Sequence, residues 1–89
     1  MKITKINKDL IDNTKAKFRE YHEELDKILA DTEKIYEDLN HEVIYNSKDN
    51  EEEVIDSLHN AVDYILKFRK GIMSAKYATE IIDDELDLL

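Results

Sequence analysis

The 89-residue sequence contains no cysteine, no proline and no tryptophan, and its single glycine is Gly71. Without cysteine there is no disulfide framework and no thiolate chemistry. Without proline, and with one glycine, nothing punctuates the chain into short strands, so long helices are favoured over sheets. No apolar run approaches the roughly 20 residues that span a bilayer. The opening MKITKINKDL lacks the apolar core of a signal peptide, so a cytoplasmic start is expected, and any export would use a route without a cleaved signal. Positive charge is also scarce: 13 Lys and Arg stand against 22 Asp and Glu, a net charge of −9. Such a surface repels nucleic acid and anionic membrane. It suits a basic partner or mimicry of a polyanion.

What is present is apolar periodicity, in one domain with a small core. Ile11, Phe18, Leu25, Thr32 and Leu39 recur every seven residues, and Thr14, Tyr21, Ile28 and Ile35 follow three residues on. This spacing lays a stripe along one helix face. Leu29, Tyr36 and Val43 widen it. Asn7 is placed to cap the helix, with Asp9 and Asp12 near the positive end of its dipole. A first helix is expected over about 8–43. The pattern returns with Leu58, Ile65, Ile72, Thr79 and Leu86, accompanied by Val54, Ala61, Phe68, Ala75 and Ile82. A second helix is expected over about 51–86. Between them YNSKDNEEE supplies turn formers, and Asn50 with Glu53 has capping-box spacing. The turn is expected within 45–50.

Two long helices joined by a short turn run antiparallel. The expected fold is therefore all-α, a two-helix hairpin that associates into a four-helix or larger bundle. Association is expected because the stripes are wider than one hairpin can cover. In this reading Leu58, Ile65, Phe68 and Ile72 face the first helix. Ile55, Val62, Leu66, Met73 and Tyr77 are left for a partner, either a second copy or another helical protein. Gly71 allows a different arrangement. The helix could end there and restart at Ser74, giving a three-helix bundle, although the heptad phase passes Gly71 without a slip.

Chemistry is sparse. Asp38-x-x-His41 and Asp56-x-x-His59 have a spacing that can ligate metal in bundles. Leu39 and Leu58, as stripe residues, turn those His and Asp side chains outward, so a solvated surface is expected and no metal or cofactor. His22 borders the stripe and reads as a half-buried packing residue. In KFRK, Lys67 to Lys70, Phe68 reads as core and the bases as a solvated face. Ser47, Ser57 and Ser74 lack the setting of a nucleophile, and no catalytic activity is expected. The tail TEIIDDELDLL concentrates acids where they oppose the helix dipole. Asp83, Asp84, Glu85 and Asp87 are candidate contacts for a basic partner, or else belong to a loose terminus.

A short lead, an amphipathic helix, a central turn, a second helix and an acidic end together resemble the WXG-type small helical hairpins and the accessory proteins of type VII secretion toxins. YNSKDN stands where that family carries Trp-x-Gly. Its C-terminal signal of an aromatic followed four residues later by an acid is not matched, since Tyr77 is followed by Ile81 at that spacing. The resemblance implies a hairpin that dimerises with itself or a relative. It further implies an accessory role, bringing a larger toxin to the secretion machine, because a partner could supply the missing signal. The charge supports two other classes: an acidic immunity protein or phage-type inhibitor that blocks a basic surface, and a purely structural subunit of a larger assembly.

Overall fold

The computed structural model describes residues 5–46 and 51–89. It consists of two long helices, α1 (Lys8–Asn46) and α2 (Glu52–Asp87). They lie antiparallel: Lys15, near the start of α1, pairs with Asp87 at the end of α2, while Arg69 meets Thr32 near the middle of both.

Asn7 caps α1 as its sequence position suggests. Its side-chain oxygen accepts from the Leu10 N–H at 3.1 Å, and its carbonyl accepts from Ile11 at 3.2 Å. The side-chain bond satisfies one of the amides that a helix start leaves without partners, and the carbonyl opens the helix's own ladder. The helix outlasts its expected end at residue 43 and is still intact at Tyr45 and Asn46. The rest of the expected turn, residues 47–50, lies outside the described residues, and so does the proposed cap at Asn50. The described residue that precedes α2 is Glu51, in extended backbone conformation and without a side-chain cap bond. Its carbonyl accepts from Val54 and Ile55. Glu52 and Glu53 occupy the first turn, where the dipole favours them.

The three-helix alternative does not hold. α2 runs unbroken through Gly71 and Ser74. An unbroken ladder of i to i−4 hydrogen bonds and apolar residues on both sides outweigh the roughly 1 kcal/mol that one internal glycine costs.

The seam between the helices is thin. Among the described apolar residues only Val43 and Val62 are buried, at 3% and 5% exposure. The radius of gyration is 20.4 Å, against about 12 Å for a compact domain of this length. The accessible surface is 7407 Å², some ~2,000 Å² beyond the ~5,400 Å² of a typical compact monomer of this mass.

A Cβ added at Gly71 would meet nothing within 4 Å. Gly71→Ala should therefore stabilise the chain by about 0.5–1 kcal/mol through helix propensity alone. The midpoint of urea unfolding should rise with no change in its slope.

Candidate functional site

Which faces of the hairpin are closed and which stay open follows from a choice the sequence leaves to tertiary structure. Each helix carries apolar residues at the repeat position, three residues after it and four residues after it. These positions span too wide an arc for one neighbour to cover. A step of three residues turns about −60° round the helix and a step of four about +40°.

The structure closes the repeat positions with the four-residue step. On α1 Ile11, Phe18, Leu25, Thr32 and Leu39 are half-buried, as are Lys15, His22, Leu29 and Tyr36, and Val43 is buried; Thr14, Ile28 and Asn40 are half-buried beside them. On α2 the half-buried or buried residues are Leu58, Ile65, Ile72, Thr79 and Leu86 together with Ile55, Val62, Arg69, Lys76 and Asp83, and Leu66 and Ile82 are also half-buried. The expected seam is corrected accordingly. Phe68 is not against α1 but 51% exposed, and Val54, Tyr21 and Ile35 are also exposed. Val62, expected outside the seam, is its most buried apolar residue on α2.

The reason lies in the polar residues of the four-residue step. Arg69 donates from Nε to Thr32 Oγ1 at 3.1 Å and from a terminal nitrogen to the Leu29 carbonyl at 3.0 Å. Lys76 pairs with Asp26 at 2.6 Å. Asp83 accepts from Arg19 at 2.8 Å. Thr79 donates to the Lys76 carbonyl at 2.6 Å and receives His22 Nδ1 at 2.8 Å. Nε2 of that ring is then turned toward Asp26 and Glu80, at 3.6 and 3.9 Å. With Phe68 and Ala75 inside instead, these cross-helix bonds would not form.

In an antiparallel pair, equal angular steps from the seam end on the same side. One flank of the hairpin therefore gathers the ion pairs: Arg19, Asp26, Lys76, Glu80, Asp83 and Asp87, with Leu66 and Met73 among them. The other flank gathers Tyr21, Ile28 and Ile35 from α1 and Val54, Ala61, Phe68, Ala75 and Ile82 from α2. The register that sets Arg69 beside Thr32 and His22 beside Thr79 puts Ile35 level with Phe68, and Ile28 level with Ala75. Gly71 and Ala78 border this apolar flank with little side chain of their own. Tyr21 meets Phe18 edge-on at 5.3 Å, and the Lys67 ammonium lies 4.7 Å over the Tyr64 ring.

The five residues expected to meet a partner are thus divided. Val62 belongs to the seam, and Ile55 and Leu66 are half-buried. Met73 and Tyr77 remain outside, at 57% and 64% exposure. The acidic tail is divided too. Asp83 and Asp87 are engaged by Arg19 and Lys15, so the end of α2 is tied to α1. Asp84 and Glu85 are exposed. His41 and His59 are exposed, His41 stacked 6.0 Å from Tyr45. Among the described residues no three His, Asp or Glu side chains are grouped as a metal site would need. Among the described residues no helix is long and apolar enough to cross a membrane. An open groove beside Phe18, Arg19, His22, Glu80 and Asp83 carries charge of both signs.

The ion pairs set a pH dependence. The hydrogen bond from Lys76 holds the Asp26 carboxyl below the usual carboxylate range, and Lys15 does the same for Asp87. Their partners shift the other way: Asp26 raises the Lys76 ammonium, and Asp83 raises the Arg19 guanidinium. A carboxyl that titrates lower when folded contributes stability above its unfolded value near ~3.9, and that contribution is lost as pH falls through the folded value. The stability difference between the native chain and an Asp26→Asn, Asp87→Asn variant should hold steady from about pH 5 to 9 and shrink below about pH 4. It should also shrink with added salt, because these groups face water. Urea titrations at each pH check both.

No protein-family model, no curated protein and no solved structure matches this chain, so its likeness to the WXG-type proteins is one of layout: two helices, antiparallel, in a hairpin.

Proposed function

We propose that the chain is a non-catalytic helical binding protein whose fold is completed by other helices. One observation carries this: a hairpin with two buried apolar residues leaves Phe68, Met73, Tyr77, Ile35 and Tyr21 in water. Each such side chain is worth about 1.5–3 kcal/mol when fully buried. Exposed apolar area on this scale marks an interaction surface. The layout shared with type VII accessory hairpins supports the further reading that the partner is the helical domain of a larger secreted toxin, which this chain would accompany to its exporter.

The acidic-inhibitor reading draws its support from the charge of −9. The tail lends it less, because Asp83 and Asp87 are already paired with Arg19 and Lys15. The two readings part experimentally. Met73 and Tyr77, one turn apart on the outer surface of α2, are the contact expected for the larger partner. Met73→Asp with Tyr77→Asp should weaken binding to the helical domain of a toxin encoded beside this chain by roughly 100-fold. Helical circular dichroism should be retained. Asp84→Asn with Glu85→Gln should leave binding unchanged, and raising salt from 0.05 to about 0.5 M should weaken it less than about threefold. If neutralising the acids abolishes binding and the Asp variant is harmless, the charge reading replaces this one.

A further inference from the structure

The flank opposite the ion pairs changes character toward the turn. Ile35 and Val54 lie there about half exposed, and Tyr45 and Tyr64, on its outer edges, are 76% and 67% exposed. Tyr64 stands one repeat before Gly71, and Tyr45 one repeat after Asp38. We infer that this turn-side part of the flank docks a basic segment of another protein, one that carries lysine or arginine beside large apolar side chains. The surface is separate from Met73 and Tyr77, so it adds a second kind of contact to the proposed binding role.

Charge names the occupant. The stretch from 35 to 66 holds nine of the 22 acids and one of the 13 bases, Lys48. The rest of the sequence holds thirteen acids and twelve bases, Lys17, Lys27 and Lys34 among them. Nearly all of the net charge of −9 therefore belongs to the turn-side part of the hairpin, and among its described residues no Lys or Arg offsets it. The acids reach the apolar residues themselves. Asp38 and Glu42 stand between Ile35 and Tyr45 on α1, and Glu53 stands next to Val54 on α2, all three exposed. Toward the open end the same flank is bordered by both signs, as where Lys17 lies 3.6 Å from Glu20. A surface of one sign attracts and orients a partner of the other.

The apolar residues narrow the chemistry further. Nucleic acid and anionic membrane are repelled by these acids. Among the described residues no three acids are grouped as a metal ion would need. A polyamine would meet the carboxylates and leave Ile35 and Val54 in water. A lysine or arginine in a peptide answers both needs, because its stem covers apolar surface while its head reaches a carboxylate. It also lies favourably over an aromatic face. The molecule itself shows that arrangement at the border of the patch, where the Lys67 ammonium sits 4.7 Å over the Tyr64 ring. Tyr45, stacked on His41 at 6.0 Å, presents a second ring among the acids.

Fluorescence anisotropy of the full chain with a labelled peptide tests this. The probe is about eight residues long, enough to span the patch, and alternates arginine with leucine. Its dissociation constant should be roughly 10 µM at about 0.05 M salt and rise at least ~10-fold by about 0.5 M. A peptide of arginine and glycine should bind at least ~5-fold more weakly, since it covers no apolar surface. Asp38→Asn with Glu53→Gln should weaken binding of the leucine peptide ~10-fold, and Tyr45→Ala about fivefold. Asp84→Asn with Glu85→Gln, which removes the same charge at the other end, should leave it within about twofold. Circular dichroism checks that each variant stays helical, and the comparison of the two peptides and of the two salt concentrations needs no variant. Absence of binding at about 1 mM peptide overturns the inference. So does equal loss from the two pairs of acid changes, or equal affinity for the glycine peptide, because net charge alone is then the attraction. Met73→Asp with Tyr77→Asp should leave peptide binding within about twofold. Failure here therefore leaves the contact at Met73 and Tyr77 standing, and failure of that contact leaves this one.

Discussion

The fork of Arg69 onto Thr32 and the Leu29 carbonyl is the interaction on which the arrangement of the whole hairpin depends. A guanidinium half-buried between two helices must find acceptors, because leaving it without them costs more than its hydrogen bonds contribute. Only one rotation of α2 brings Arg69 to those acceptors. The same rotation brings Lys76 to Asp26, Asp83 to Arg19 and Thr79 to His22. It then follows that Val62 goes in and Phe68 comes out. The seam is specified by polar bonds more than by apolar area, a use of buried polarity known from helix pairs whose register is fixed by a single polar residue.

This division of labour gives the molecule three different surfaces. The ion-pair flank is hydrated and closed by its own contacts. The apolar flank exposes Tyr21, Ile35, Val54 and Phe68, with Ile28 and Ile82 half-buried among them. The outer surface of α2 carries Met73 and Tyr77 between charged neighbours. The net charge of −9 sets like charges around all three surfaces, which opposes non-specific association.

Much of the fold could be read from residue spacing. Two heptad series of similar length are enough for two long helices, and Asn7 was legible as a cap because capping depends on neighbours in sequence. The continuity of α2 through Gly71 was legible from phase. The choice of face was not. Residues three and four positions after the repeat are both apolar on each helix, so hydrophobicity alone leaves the rotation open. The deciding signal was present in the charges: Lys15, His22, Lys76 and Asp83 sit on one step, with Asp87, Glu80, Asp26 and Arg19 opposite them in an antiparallel register. Pairing those charges before ranking the apolar residues would have put Phe68 outside. Val62 and Phe68 were assigned to the wrong sides of the seam for the same reason, since a rotation of about 120° exchanges one for the other.

Three ion pairs between the helices lie toward one end of the hairpin. Lys15–Asp87, Arg19–Asp83 and Lys76–Asp26 all lie in the half that holds the chain ends, while Val43 and Val62 close the half nearer the turn. The two halves therefore respond to different solution conditions. Ionic strength loosens the three pairs at the open end, while cooling weakens the apolar contacts of Val43 and Val62. The hairpin behaves as a clasp with two unlike fasteners, and amide exchange along it should grade in opposite directions as salt rises and as temperature falls.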